Sequence, residues 1–170
     1  VTGGGINLDG NLIQDIQAYD INLFDMALGI NVTTPPGAGT LSNNQVKTVM
    51  ARANDMEAHG VRLFGTNGMV VSGNEVDDVK VLGQSLGNAD GRIAVGLSLV
   101  NSTGAEATGN TLTNIVAGKA NQSCSADVGQ TGGIGAGIRL DGTTGSVVQT
   151  NTIDGITGGY RGDPSYSANS

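Results

Sequence analysis

The sequence predicts an all-β solenoid, in which short strands from successive repeats stack side by side. Three observations support this: a repeat found five times, apolar residues two apart within each copy, and many glycines with few aromatic residues. Apolar residues two apart lie on one face of a strand, because alternate side chains point to opposite faces. The 29 glycines and 3% aromatic residues suit narrow coils with tight corners. A repeat of this kind indicates stacked units that share one core.

The clearest copy of the repeat runs from Gly137 to Ile156. After the glycine come two apolar residues at alternate positions, a polar turn, an apolar residue, an asparagine and two more apolar residues. The spacing from glycine to asparagine is constant in three copies, since 151 minus 137, 110 minus 96 and 74 minus 60 all equal 14. Each copy therefore predicts a strand, a turn, a second strand and a variable loop. The other copies begin at Gly29, Gly60, Gly96 and, more weakly, Gly5, where Tyr19 takes the asparagine place.

The loop from the asparagine place to the next repeat glycine carries the length variation. It spans 10, 16, 22 and 27 residues (29 minus 19, 60 minus 44, 96 minus 74 and 137 minus 110). Loops that vary on one side of a repeat often mark a binding face, so we predict loops that lengthen on that side. We assign residues 1–156 to the solenoid. Residues 157–170 have too few apolar side chains for another coil and are predicted to form a capping or flexible tail.

The glycine and asparagine pattern resembles the coil signature of right-handed parallel β-helices of the pectate-lyase-like superfamily, which includes polysaccharide lyases and phage tailspikes. The resemblance covers residues 5 to 156 and implies a right-handed parallel β-helix of about five coils. In such a fold, equivalent side chains of successive coils stack. The asparagines would form a structural ladder of Asn44, Asn74, Asn110 and Asn151. Two interior columns would be Leu41, Val71, Ala107 and Val148, and Ile21, Val46, Val76, Leu112 and Ile153.

Outward-facing side chains would also stack into columns, and a saccharide chain could lie along them. The column two residues after the glycine is Asn7, Asn31, Arg62, Ser98 and Arg139. The next column is Asp9, Thr33, Phe64, Val100 and Asp141. The column after the asparagine is Asn22, Lys47, Asp77, Thr113 and Asp154, with Glu75 beside it.

An enzyme acting on a uronic acid needs a cation for the sugar carboxylate, a base and a proton donor. Groups of these types give the catalytic candidates Arg62, Arg139, Asp141, Asp77 and His59. The candidate carbohydrate contacts are Lys47, Glu75, Asp154 and Asn31. Two simpler interpretations stay open: a solvated loop histidine at His59, and a surface ion pair between Lys47 and Asp77.

The resemblance implies an extracellular, cell-surface or virion domain that binds a polysaccharide. Whether it also cleaves the polymer stays open, because the catalytic motifs of pectate lyases and polygalacturonases are not intact in this chain. The alternative is a non-catalytic structural or adhesive module of a larger surface or fibre protein. A charged content of 14% and the scarcity of aromatic stacking platforms favour that alternative.

The bulk composition limits the partners. A net charge of -7 argues against nucleic acid, and no apolar run is long enough to span a membrane. No cofactor or metal is predicted, because the carboxylates that could bind calcium form no calcium motif. Uncapped sheet ends predict either a homo-oligomer, with a trimer as one form, or the remainder of a longer chain.

Overall fold

The chain folds as an all-β parallel β-helix in a computed structural model that describes residues 5–18, 26–33, 38–51, 57–81, 93–117 and 133–158. The regular secondary structure of these residues consists of strands alone. In chain order the strands are β1 (Asn7–Asp9), β2 (Leu12–Ala18), β3 (Met26–Thr33), β4 (Gly39–Ser42), β5 (Gln45–Ala51), β6 (Glu57–Phe64), β7 (Met69–Ser72), β8 (Glu75–Val81), β9 (Ile93–Val100), β10 (Glu106–Thr108), β11 (Thr111–Val116), β12 (Ile134–Asp141), β13 (Val147–Gln149) and β14 (Thr152–Asp154).

Strands three apart along the chain pair in parallel and build three sheets. Sheet A contains β1, β4, β7, β10 and β13, and sheet B contains β2, β5, β8, β11 and β14. Sheet C contains β3, β6, β9 and β12. Each coil passes through sheets A, B and C in turn, so the described residues hold four full coils and two strands of a fifth. The predicted parallel solenoid is therefore confirmed.

Inward side chains at the same position in successive coils form the apolar columns of the core. In sheet A, Leu41 pairs with Val71 and Val71 with Ala107, and all three are buried. The interior columns of sheets B and C are filled in the same way by Val, Leu, Ile and Ala. The described core is built from aliphatic side chains and Met69 and contains no aromatic ring, in keeping with the low aromatic content of the chain.

Four strands of sheet B contain a residue with left-handed backbone, and in the fifth coil this residue directly follows β14. Val46 and Val49 are both buried although they are three residues apart, an odd spacing for one face of a strand. Thr48 lies between them with a φ of 56°, and this left-handed residue turns the chain so that both valines face the core. The equivalent left-handed residues in the other coils are Asp15, Asp78, Asn114 and Gly155.

The repeat glycine lies where sheet C approaches sheet B most closely. A Cβ on Gly60 would be 2.2 Å from Val76 Cγ1 and 2.8 Å from the carbonyl oxygen of Gly96. No side chain fits there, which explains why glycine recurs at this position. The strand pairing of sheet C skips these glycines, and the glycine and the residue after it both face the core, as Gly60 and Val61 do.

The corner between sheets A and B is held by stacked asparagines. Asn74 Nδ2 donates to the carbonyl oxygen of Leu41 at 2.8 Å and to Asn110 Oδ1 at 2.9 Å, and the Asn74 backbone N–H donates to the same Oδ1 at 3.0 Å. Asn44 and Asn110 make the same three contacts one coil away. The side chains thus form a continuous ladder along the solenoid.

The structure corrects the predicted first coil. Asn11, not Tyr19, is the first asparagine of the ladder, because its backbone N–H and Nδ2 both donate to Asn44 Oδ1 at 3.0 Å. Sheet A therefore contains Asn7 opposite Thr40 and Asp9 opposite Ser42, and neither belongs to the columns of sheet C. In sheet B, Ile13 and Gln14 take the places predicted for Ile21 and Asn22.

The error arose because Gly5 is followed by apolar residues in the same spacing as the true repeat glycines. The first connection to Gly29 then measures 18 residues (29 minus 11), so the connections lengthen only from the second coil onward. Tyr19, Ile21 and Asn22 lie outside the described residues, as does the predicted tail beyond residue 158. Thr157, the first residue of that tail, pairs with Val116 of β11.

Candidate functional site

The predicted site residues lie on two different faces of the solenoid. The outward face of sheet C carries five of them: Asn31, His59, Arg62, Arg139 and Asp141. The outward side of sheet B carries the other four: Lys47, Glu75, Asp77 and Asp154. The two groups occupy different sheets, so Asp77 belongs to a different surface from the arginines and the histidine.

One outward column of sheet C holds two arginines. The strand pairing places Asn31 beside Arg62, Arg62 beside Ser98, and Ser98 beside Arg139. The two guanidinium-bearing positions are thus two strands apart, which is about 10 Å at the usual strand spacing. The sequence predicted this column correctly, apart from the placement of Asn7.

Neighbouring side chains orient both arginines. Arg62 Nη1 lies 3.5 Å from Asn31 Oδ1, and its Cζ lies 4.8 Å from the ring centroid of Phe64, within the range of a cation–π contact. Arg139 Nη2 donates to Asp141 Oδ2 at 3.0 Å, and both side chains are partly exposed. An anion in solution can therefore reach Arg139 by competing with Asp141 for one guanidinium edge.

His59 is a buried outward residue of β6, with 1% of its side chain exposed. It is therefore not the solvated loop histidine of the simpler interpretation. Its Nε2 lies 2.8 Å from Glu57 Oε2, and its buried Nδ1 has no hydrogen-bond partner among the described residues. A buried unpaired nitrogen is costly, because it has lost water without gaining a replacement.

Glu57 interacts both with His59, through a hydrogen bond, and with the two arginines, through their charge. The hydrogen bond from His59 lowers the pKa of the Glu57 carboxyl, and the positive charges of Arg139 and Arg62 act in the same direction, whereas burial opposes them. The carboxylate is thus held ionised within the field of both arginines. Glu57, His59, Arg62 and Arg139 form one electrostatic group on this face, which we call the sheet C cluster.

Ser98 lies between the two arginines in register and is fully buried. Its Oγ has no hydrogen-bond partner in the part of the chain that the structure describes. A buried hydroxyl in that condition is uncommon in proteins, and it is the second unpaired polar atom on this face. The outward side of sheet C is therefore closed to water around His59 and Ser98 and open around the arginine ends.

The charged residues on sheet B are mostly satisfied by one another. Lys47 Nζ lies 3.5 Å from Glu75 Oε1, so the surface ion pair involves Glu75 and not Asp77. Asp77 instead accepts hydrogen bonds from Thr113 Oγ1 and Asn114 Nδ2, both at 2.7 Å. The bond from Thr113 is the main cause of the lowered pKa of Asp77. Asp154 Oδ1 accepts from the backbone N–H of Gly155 at 2.8 Å.

The described residues contain no group of three or more His, Cys, Asp or Glu side chains that could hold a metal ion. They also contain no helix long and apolar enough to cross a membrane. Residues 118–132, which belong to the longest of the variable loops predicted to mark a binding face, lie outside the described residues. Comparison with protein-family models, curated proteins and solved structures found no match for this chain.

Sequence reasoning missed Glu57 and the condition of Ser98. Glu57 could have been found, because residues two apart in a strand face the same side and Glu57 precedes His59 by two. Ser98 was placed in the correct column. Its burial could not be read from the repeat, because the alternation of the strand assigns that side chain to the outward face.

Proposed function

We propose that this β-helix binds an acidic polysaccharide along the outward face of sheet C. The observation that carries the proposal is the stacking of Arg62 and Arg139 in one column, two strands apart. A linear glycan lying along the solenoid would meet two cations about 10 Å apart. Guanidinium groups bind carboxylates through paired, charge-assisted hydrogen bonds.

The sheet C cluster supports binding more strongly than cleavage. Cleavage requires a base or acid in contact with the sugar, and His59 has almost no exposed surface. The catalytic roles predicted for Arg62, Arg139, Asp141, Asp77 and His59 therefore stay predictions. The stacked columns also support placing the chain in the pectate-lyase-like superfamily. A polymer of this kind lies outside cells, so we propose an extracellular, cell-surface or virion location.

Binding can be tested by affinity electrophoresis through gels that contain polygalacturonate, alginate or a neutral glucan. We expect retardation by the two polyuronates and none by the neutral polymer. Arg62→Gln and Arg139→Gln should each weaken retardation at least tenfold, and added salt should weaken it further. Lys47→Gln is the matched control, because it removes one cation from sheet B.

Two results would contradict the proposal. One is the absence of binding to every polyuronate and capsule polymer in a wider panel. The other is an equal loss from Lys47→Gln and from the two arginine variants, which would assign binding to net charge alone. Release of unsaturated or reducing ends during the incubation would show that the domain also cleaves its ligand.

A second candidate function is that of a non-catalytic structural module within a fibre or surface protein. The uninterrupted asparagine ladder favours it, because it stiffens the solenoid along its whole described length without serving any ligand. If the protein binds no glycan in the panel, that result would favour the structural role.

A further inference from the structure

The last coil leaves core positions uncovered at one end of the solenoid. We call β1 and β2 the first rung, and β13 and β14 the last rung. Core residues of the coil before the last rung, such as Ala107 and Leu112, are 0% exposed. Their neighbours in the last rung, Val148 and Ile153, are 40% and 47% exposed, although they occupy the same columns. This end is therefore an apolar surface beside strand edges that pair with no further described strand.

The asparagine ladder gives the two ends opposite hydrogen-bonding character. In each coil the side-chain oxygen accepts from the coil before, and the backbone N–H and Nδ2 donate to the coil after. At the first rung, Asn11 Oδ1 accepts no hydrogen bond from any described residue. At the last rung, the Asn151 backbone N–H donates to none of the described residues. One end thus offers an acceptor and the other offers donors.

We propose that the last rung binds the first rung of a second copy of this chain, head to tail. In that contact β13 pairs with β1 of the second copy and β14 pairs with its β2, in the parallel register that sheets A and B already use. Leu8 then continues the column of Val148, and Ile13 continues the column of Ile153. Sheet C has one strand fewer among the described residues and takes no part.

The polarity of the asparagine ladder favours the head-to-tail contact over a contact between two last rungs. Two last rungs facing each other would bring the donors of Asn151 against identical donors and would reverse the strand direction. The head-to-tail contact instead places Asn151 N–H and Nδ2 opposite Asn11 Oδ1. A contact between two different surfaces does not close on itself, so copies add one after another.

Sedimentation velocity over a wide concentration range tests the proposal with two blocked variants. The tail-blocked variant, Val148→Lys with Ile153→Lys, places charges on the exposed last rung. The head-blocked variant is Asn7→Pro. Bonds from β1 to β4 use Ile6 O and Gly10 N, so the Asn7 N–H faces the free edge, where proline is tolerated. Asp9→Pro removes the next N–H on that edge and replaces Asn7→Pro if that variant does not fold by circular dichroism.

The wild type should show an average mass that rises steadily with concentration. Each blocked variant alone should stay monomeric, and an equimolar mixture should form a one-to-one complex and nothing larger, because it contains one intact head and one intact tail. A wild type that is monomeric throughout, or that stops at a closed trimer, would overturn the proposal. The proposal would also be overturned if the head-blocked variant alone formed dimers. The same holds if the wild type associates but the mixture of the two variants forms no complex.

Discussion

Asn74 joins the coils on both of its sides through one small side chain. Its Nδ2 donates to Leu41 O in one direction and to Asn110 Oδ1 in the other, while its Oδ1 accepts from the backbone N–H and Nδ2 of Asn44. The residue is 2% exposed, so water cannot take over these bonds. A single truncation here leaves several buried polar groups without partners.

We therefore expect Asn74→Ala to lower the free energy of unfolding by about 3 kcal/mol, since each buried unsatisfied group costs roughly 1–3 kcal/mol. Urea unfolding at constant m-value measures the loss. Asn151→Ala is the matched control, because Asn151 is half-buried at the end of the ladder and water can replace its bonds. It should cost about 1 kcal/mol. Equal losses at the two positions would show that the ladder bonds do not depend on burial.

Glu57 makes stability depend on acid pH. Its pKa is lowered in the folded chain, first by the hydrogen bond with His59, so the ionised carboxylate favours the folded state. That stabilisation is fully present above the ordinary Glu pKa of 4.5 and is lost as the pH falls through the lower folded pKa. Glu57→Gln should be less stable than the wild type at neutral pH, and the difference should shrink as the solution becomes acidic.

Urea midpoints measured from neutral to strongly acidic pH provide the check on Glu57. Glu75→Gln is a suitable control, because Glu75 is an exposed carboxylate on sheet B. A gap between wild type and Glu57→Gln that stays constant at all pH values would rule out a role for the ionised carboxylate.

At the scale of the elements, the repeat glycine of sheet C allows this sheet to pack closely against sheet B. The Cβ that Gly60→Ala would introduce meets Val76 Cγ1 of β8, whereas Gly104 has a φ of 59° and no atom within 4 Å of such a Cβ. The first substitution crowds two sheets, and the second strains only one turn. The two glycines therefore occupy their places in the coil for different physical reasons.

Gly60→Ala should destabilise the protein by about 2 kcal/mol through overpacking. Adding Val76→Ala should restore part of that loss, with a coupling of about 1 kcal/mol in the double-mutant cycle. Gly104→Ala should cost about 1 kcal/mol from its left-handed backbone and should combine additively with Val76→Ala. Unfolding in urea gives all the values. Additive behaviour of Gly60→Ala with Val76→Ala would contradict the proposed contact.

The sequence predicted most coils because the same structural requirements place the same residue types at the same positions of each repeat. Glycine marks the close approach of two sheets and asparagine marks the ladder, so each coil from Gly29 onward was placed correctly. The first coil was misplaced because Gly5, with the apolar residues after it, was taken as a repeat glycine. The run Asn11 to Ile16 has the same spacing as Asn44 to Val49, an asparagine followed by apolar residues two and five places later, and was the better signal.

The candidate site was less predictable than the fold. Stacking of Arg62 with Arg139 followed from the repeat, since register fixes which outward residues are neighbours. The ion pair of Lys47 with Glu75 did not follow, because a long side chain can reach either of two neighbours on the next strand. Contacts that depend on side-chain direction or on burial outside the repeat need the structure.

Over the whole molecule, stability should vary along the solenoid axis. Each coil contacts only its neighbours, so a repeat structure loses support at its ends first. The strands of the middle coils bury their inward side chains on both sides, whereas all residues of β13 and β14 are exposed. The last rung therefore has the fewest interactions that resist local opening.

Hydrogen exchange followed by mass spectrometry should resolve this gradient. Peptides that cover β13 and β14 should exchange at least tenfold faster than peptides that cover β7 and β8. The comparison should be made on dilute protein, where copies do not associate, and repeated at high concentration as its control. Uniform protection in the dilute sample would show that the chain opens as a single unit.

The left-handed residues of sheet B have a consequence for how such a chain can evolve. Thr48, Asp78 and Asn114 hold equivalent places in successive coils, and all three are short polar residues. Asp and Asn are among the residues that most often adopt left-handed backbone. Each coil from the first to the fourth therefore carries its own left-handed residue at this corner, and Gly155 takes that place in the last. A gene segment that encodes one coil could be duplicated or deleted, and every remaining column would still be in register.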